Sequence, residues 1–111
     1  MKLPANSEIP LAKLLQCLLV PLGRADKSKF LARAGYTTEN PSDLIADIRS
    51  QILPLDPRPA GSTKFGDFSE TGGVLRGPNG VSLREKTIWI REHLQGSTRF
   101  VTLLPDKSKT T

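Results

Sequence analysis

The sequence predicts an α+β domain with three N-terminal helices packed on one face of a C-terminal antiparallel sheet of three to four strands. Apolar residues recur at helical spacing up to residue 52, and this period disappears after Phe68. An Asn-Gly pair at positions 79 and 80 then signals a hairpin. With 111 residues, the chain is long enough for one domain, which we place at residues 1–105, followed by a flexible tail at 106–111.

The first predicted helix follows Pro10, a residue that suits the first turn of a helix. Pro21 and Gly23 end it. Its apolar stripe predicts one buried face and consists of Leu11, Leu14, Leu15, Leu18 and Leu19.

The second predicted helix is short, with Asp26 as its N-cap and Gly35 just past its C-terminus. Four residues apart, Lys29 and Arg33 lie on its solvated side. Its buried face is predicted to contain Phe30, Leu31 and Ala34.

The third predicted helix has Asn40 as its cap and Pro41 at its first position. Asp43 lies in its first turn, near the positive end of the helix dipole, and Pro54 stops it. Its core stripe contains Leu44, Ile45, Ile48 and Ile52.

The second half of the chain predicts a loop followed by strands. Residues 53–66 carry three prolines and two glycines and are predicted to form a loop. Residues 72–90 read as two strands joined through positions 77–80, and a turn at 93–97 leads to a last strand at 98–104.

The second of these strands has a conflict in its alternation. Val81 and Leu83 share one parity, whereas Ile88 and Ile90 share the other, so strict alternation places the two pairs on opposite faces. Two explanations remain open. Either a bulge near residues 84–86 switches the register, or both faces are partly covered.

Composition narrows the classes of function. The formal charge of +5 favours an anionic partner, with nucleic acid first, and residues 23–33 contribute +3 of it. Because Cys17 and His93 are the single cysteine and histidine, we expect no disulfide and no metal site. The sequence has no glycine-rich phosphate-binding motif, so we expect no cofactor. The absence of a run of 18 apolar residues, and of a signal peptide, predicts no membrane span and a cytoplasmic location.

Lys27 stands out among the basic residues. It precedes Phe30 and Leu31 by three and four positions and shares their inward-facing line near the helix N-terminus, where a cation is mildly unfavourable. Its aliphatic stem can lie over the edge of the core with the ammonium in water. The alternative is that Lys27 faces a cleft and binds an anionic phosphate.

A second polar group comes from the strands and the loop before them. Cations on an uncovered sheet face bind a phosphate backbone, and they can stabilise the transition state of phosphodiester cleavage without a metal. The alternative is a solvated face whose charges prevent aggregation. Trp89 is expected in the core, with an exposed stacking role as the alternative, and His93 in a solvated turn. The group contains Thr63, Lys64, Arg84, Lys86, Thr87, Arg99 and Thr102.

The order of motifs resembles a small bacterial domain family of unknown function, found alone and at the C-terminus of polymorphic toxins. The motifs are KLP, GRADKSKFLARAGYT, TKFG, LRGPNG, TIWI and RFVTLLP, in that order. The toxin context is similar to metal-independent ribonucleases of the barnase, EndoU, colicin and RelE kind. The resemblance implies an RNA substrate, a cognate antitoxin or other protein partner, and a site without metal.

Carried over by position, the resemblance points to Lys27, Thr63, Lys64, Thr87, Trp89, Arg99 and Thr102. Together with the basic residues discussed above, this gives a predicted catalytic set of Lys27, Lys64, Arg99 and Thr87, and a predicted nucleic-acid-binding set of Lys29, Arg33, Thr63, Arg84, Lys86 and Thr102. The chain departs from the family pattern with Phe65 where tyrosine is common, and it has no histidine in the helix-start motif. Both departures remove acid–base groups. A toxin-like ribonuclease and a non-catalytic module that binds RNA or protein through a basic sheet therefore both remain open.

Overall fold

The computed structural model describes residues 3, 7–10, 28–94 and 96–105. The predicted first helix, Cys17, Lys27 and the tail lie outside these residues. Within them, helices precede a four-stranded antiparallel sheet in the order β1-β2-β3-β4, which confirms the α+β class. The elements are α1 (Ser28–Ala32), α2 (Pro41–Asp47) with a π-helical continuation (Ile48–Ile52), β1 (Arg58–Ser62), β2 (Gly66–Arg76), β3 (Ser82–Glu92) and β4 (Thr98–Pro105).

The ends of the two helices follow the sequence signals in part. Gly35 follows α1 at φ +96°, a left-handed conformation that glycine adopts at little cost, as predicted. Pro41 begins α2. The side chain of Asn40, however, makes no cap bond to the helix. Its Oδ1 instead accepts a hydrogen bond from the Thr37 N–H at 2.7 Å, so it closes the turn before α2.

The prediction of a loop at residues 53–66 is wrong, because β1 lies within it. Arg58 pairs with Glu70, and Ser62 with Asp67. Pro59 has no N–H to donate, but β1 is an edge strand with one unpaired side. Its register shifts between Pro59 and Gly61, and such irregularities are common at sheet edges.

The alternation conflict in β3 is resolved in favour of two partly covered faces. β2 and β3 pair without interruption, so the alternative of a bulge at residues 84–86 is wrong. Leu83 and Trp89 are buried on one face, while Ile88 and Ile90 are half-buried on the other. The register shifts instead between β3 and β4, at Ile88 and Trp89.

The helical segments pack on one face of the sheet, called here the helix-side face. A Cβ added to Gly73 would lie 2.6 Å from Leu55 Cδ1, and one added to Gly77 would lie 2.0 Å from the carbonyl oxygen of Ala34. Both glycines therefore permit close approach. Trp89 is in the core as predicted, with its ring edge against Phe100. The buried cluster also contains Leu31, Leu44, Ile48, Ile52, Leu75, Leu83 and Leu103.

Residues 7–10 lie along the edge of β4 that does not pair with β3. The Glu8 N–H donates to the carbonyl of Thr98 at 2.9 Å, and the Phe100 N–H donates to the carbonyl of Glu8 at 2.8 Å. Backbone groups at the edge of β4 thereby find partners within the chain.

Candidate nucleic-acid interface

The face of the sheet opposite the helices, called here the outer face, brings together four of the predicted site residues. Directly opposed residues of an antiparallel pair project to the same side. Arg84 and Lys86 project to the same side of β3 as Ile88 and Ile90, because these residues are two apart along the strand. Across the sheet, Arg84 pairs with Val74 and Lys86 with Gly72 of β2. These two isoleucines pair with Thr102 and Arg99 of β4. Arg84, Lys86, Arg99 and Thr102 therefore lie on the outer face.

The structure adds two cations that sequence reasoning missed. Arg58 lies opposite Glu70, and Arg76 opposite Ser82, both on the outer face. Arg58 was overlooked because its segment was predicted as a loop. Strand alternation with Val74 could have identified Arg76. Five cations and the three carboxylates of Glu8, Glu70 and Glu92 give the described outer face a formal charge of +2. Asp56, which lines the depression on this face together with Arg58, reduces the charge to +1.

Three of these cations contact acidic side chains. Glu70 lies between Arg58 at 3.9 Å and Lys86 at 3.8 Å, and Arg99 Nη2 donates to Glu92 Oε2 at 2.9 Å. Ion pairs on an exposed surface contribute little, so an incoming anion can replace them.

Arg76 and Arg84 differ from those three cations, since neither forms an ion pair with any residue that the structure describes. Both are exposed. They are the charges most available to an anion.

The outer face also has an apolar centre and a depression at one side. Phe68, Ile88, Ile90 and Leu104 are half-buried there. Because Gly72 has no side chain, space is left between Glu70 and Val74 along β2. The depression has a volume of about 500 Å³, and its lining includes Arg58, Arg84 and Gly72.

Lys64 and Thr63 lie in the turn between β1 and β2. Thr63 Oγ1 accepts hydrogen bonds from the N–H groups of Phe65 at 3.2 Å and Gly66 at 3.4 Å, so its hydroxyl shapes the turn. Lys64 Nζ lies 5.3 Å from the centroid of the exposed Phe65 ring. The His93 N–H donates to the carbonyl of Phe65. The β1–β2 and β3–β4 turns therefore adjoin.

Thr87 lies on the helix-side face, away from the other predicted catalytic residues that are described. Its side chain is fully buried, whereas Lys64 and Arg99 are exposed. Thr87 Oγ1 donates to the carbonyl of Thr71 at 3.2 Å and accepts from Trp89 Nε1 at 2.7 Å. Its position suits a structural role in the core.

The helix residues of the predicted site do not join the outer face. Lys29 and Arg33 are exposed, and they belong to α1 and the turn after it, on the helix-side face. Asn79 Nδ2 donates to the carbonyl of Arg33 at 3.1 Å, which connects this turn to the β2–β3 hairpin. Binding of a phosphate by Lys27 stays a prediction, because Lys27 lies outside the described residues.

The single histidine is exposed in its turn, as predicted, and is paired with Asp67. His93 Nε2 lies 3.2 Å from Asp67 Oδ1, and Ser62 Oγ donates to the same oxygen at 2.9 Å. The hydrogen bond with His93 and then that from Ser62 hold the pKa of the Asp67 carboxyl below its ordinary value. Sequence reasoning missed this pair, since 26 positions separate the two residues and no motif links them.

No family model, curated protein or solved structure matches the chain. The family resemblance stays an expectation. Among the described residues, no helix is long and apolar enough to cross a membrane, and no three histidine, cysteine or acidic side chains form a group that could hold a metal ion.

Proposed function

We propose that this protein is an RNA-binding module, with its outer face contacting the phosphate backbone of a single strand. The observation that carries the proposal is the convergence of five cations from all four strands on one face, around half-buried apolar side chains. Cations of this kind bind phosphates. The apolar centre, which includes Phe68, offers a surface for unpaired bases.

Charge favours RNA over a protein partner for this face. Neither Arg76 nor Arg84 is neutralised by an acidic residue in the part of the chain that the structure describes. A polyanion supplies a phosphate to each of these two arginines. At the other three cations, its phosphates replace the carboxylates of Glu70 and Glu92. Counterion release then makes the affinity depend strongly on salt.

The test measures the affinity of a labelled single-stranded RNA over a range of salt concentrations. Replacing Arg76 and Arg84 by glutamine should reduce the slope of log K against log salt by about 1.4, since each phosphate contact on a single strand contributes about 0.7. Lys29→Gln with Arg33→Gln is the matched control, because it removes the same charge from the other side of the sheet. An equal loss in both variants, or no RNA binding at low salt, would contradict the proposal.

A second candidate is metal-independent RNA cleavage of the toxin type. It is favoured by the position of His93, which is held by Asp67 in the turn adjoining that of Lys64. Arg99 follows the same β3–β4 turn, and an imidazole is the commonest general acid–base group. RNA incubated with excess protein and a chelator should then yield discrete fragments, and His93→Ala should abolish them.

Intact RNA in that assay would exclude cleavage and leave binding unaffected. Expression in a bacterial host adds a further readout. Growth arrest relieved by His93→Ala and by a cognate antitoxin would support the toxin type, whereas normal growth would favour the binding module.

A further inference from the structure

A second cavity, of about 670 Å³, lies at one end of the helix-side face. Its floor consists of two adjacent rows of residues across the sheet. The first row runs Ser62, Asp67, Arg91, Thr98, and the second runs Pro59, Ser69, Trp89. Leu3, Pro57, Gly61, Phe68 and Gly96 complete the described lining.

Several polar groups in this cavity have no partner among the residues that the structure describes. Arg91 forms no ion pair, and the hydroxyls of Ser69 and Thr98 form no hydrogen bond, with any described residue. Asp67 uses Oδ1 for His93 and Ser62, and no described residue donates to its Oδ2. A few convergent polar groups among apolar walls are typical of a small-molecule site, and the volume is in the usual range.

The two charges in the cavity restrict the ligand. Asp67 and Arg91 are directly opposed on β2 and β3, yet their charged groups are not within ion-pair distance of each other. A ligand with only a negative charge is attracted by the guanidinium but repelled by the carboxylate. A ligand with only a positive charge is attracted by the carboxylate but repelled by the guanidinium. A ligand with neighbouring positive and negative groups satisfies both side chains.

We propose that this cavity binds a free α-amino acid with a large apolar side chain. The ammonium group donates to Asp67 Oδ2, the carboxylate accepts from the Arg91 guanidinium, and the apolar side chain packs against Pro57, Pro59 and Trp89. The hydroxyls of Ser69 and Thr98 offer further hydrogen bonds to the carboxylate. The polar groups of this site lie on the opposite face of the sheet from the proposed RNA surface, and Phe68 lines both.

Trp89, the single tryptophan, reports on ligands in this cavity through its fluorescence. L-Phenylalanine is the first probe. Hydrocinnamate lacks its ammonium group, and phenethylamine lacks its carboxylate. L-Phenylalanine should cause a saturable change, and each analogue should bind about tenfold to hundredfold more weakly, because each has lost a charge-assisted hydrogen bond.

Two substitutions match these analogues. The Asp67→Asn protein should bind phenylalanine no more tightly than it binds hydrocinnamate. The Arg91→Gln protein should bind phenylalanine no more tightly than it binds phenethylamine. Both side chains are exposed, so folding should persist, and circular dichroism checks this. Arg84→Gln on the outer face is the control and should leave phenylalanine binding unchanged.

Three results would overturn the proposal. They are no saturable change with phenylalanine, full phenylalanine affinity in either Asp67→Asn or Arg91→Gln, and tighter binding of guanosine monophosphate than of phenylalanine. The last result would identify a nucleotide site instead. RNA binding by the outer face is measured separately, so failure of either proposal leaves the other standing.

Discussion

Replacing Thr87 by valine should destabilise the protein without changing the outer face. The Thr87 hydroxyl is buried between two partners, accepting from Trp89 Nε1 at 2.7 Å and donating to the carbonyl of Thr71 at 3.2 Å. Valine has nearly the same shape, so no cavity forms. The substitution removes only the two hydrogen bonds.

The expected cost follows from these two contacts. The indole N–H of Trp89 would stay buried without its acceptor, which costs about 1–3 kcal/mol, and the lost bond to Thr71 adds about 1 kcal/mol. The free energy of unfolding should therefore fall by about 2–4 kcal/mol, a large part of the 5–15 kcal/mol typical of a domain. Thr87→Ser keeps the hydroxyl, loses one methyl group and should cost about 1 kcal/mol.

Urea unfolding followed by Trp89 fluorescence measures this difference. With a slope of about 2 kcal/mol per molar urea, the midpoint for Thr87→Val should fall by about 1–2 M. A loss below about 1 kcal/mol, or equal losses in the valine and serine variants, would refute the hydrogen-bond argument. Loss of RNA binding by a folded Thr87→Val protein would instead place this hydroxyl in the binding site.

Three further predictions test backbone packing and ionisation. Gly77→Ala should destabilise by several kcal/mol in urea unfolding, since its Cβ would overlap backbone 2.0 Å away, whereas Gly72→Ala, with its nearest atom at 3.8 Å, should be tolerated. Burial raises the pKa of the Tyr36 hydroxyl, and its hydrogen bond to a nearby aspartate raises this pKa further. Its contribution to stability is therefore full below the unfolded pKa of about 10 and is lost as pH rises above it, so Tyr36→Phe should flatten the alkaline fall in the unfolding midpoint. His93→Ala should raise the lowered pKa of Asp67 toward its ordinary value in an NMR titration, and an unchanged value would contradict the pairing. The stability linked to Asp67 is present above its unfolded pKa and is lost as pH falls through the folded one.

The sequence predicted the elements whose signals are local. The stripe of α2, Gly35 after α1 and the Asn-Gly hairpin are read from neighbouring residues, and all three appear in the structure. β1 was missed because its proline-rich composition argues for a loop. Its pairing depends on β2, a partner that local propensity does not reveal.

The outer face shows why the site was predicted residue by residue but not as a surface. Alternation places Arg84 and Lys86 on one side of β3. Arg99 and Thr102 are three apart, so alternation alone would separate them. The register shift between β3 and β4 returns both to the outer face.

The sequence by itself determined the class of the fold, the basic charge and the identity of most cations on the sheet. Only the tertiary structure decided which side each residue faces and which residues become neighbours. Strand pairing between distant parts of the chain places Thr87 in the core beside Trp89. It also places Asp67 next to His93 and Arg91. Hydrogen bonding between strands sets the register, and the register sets these contacts.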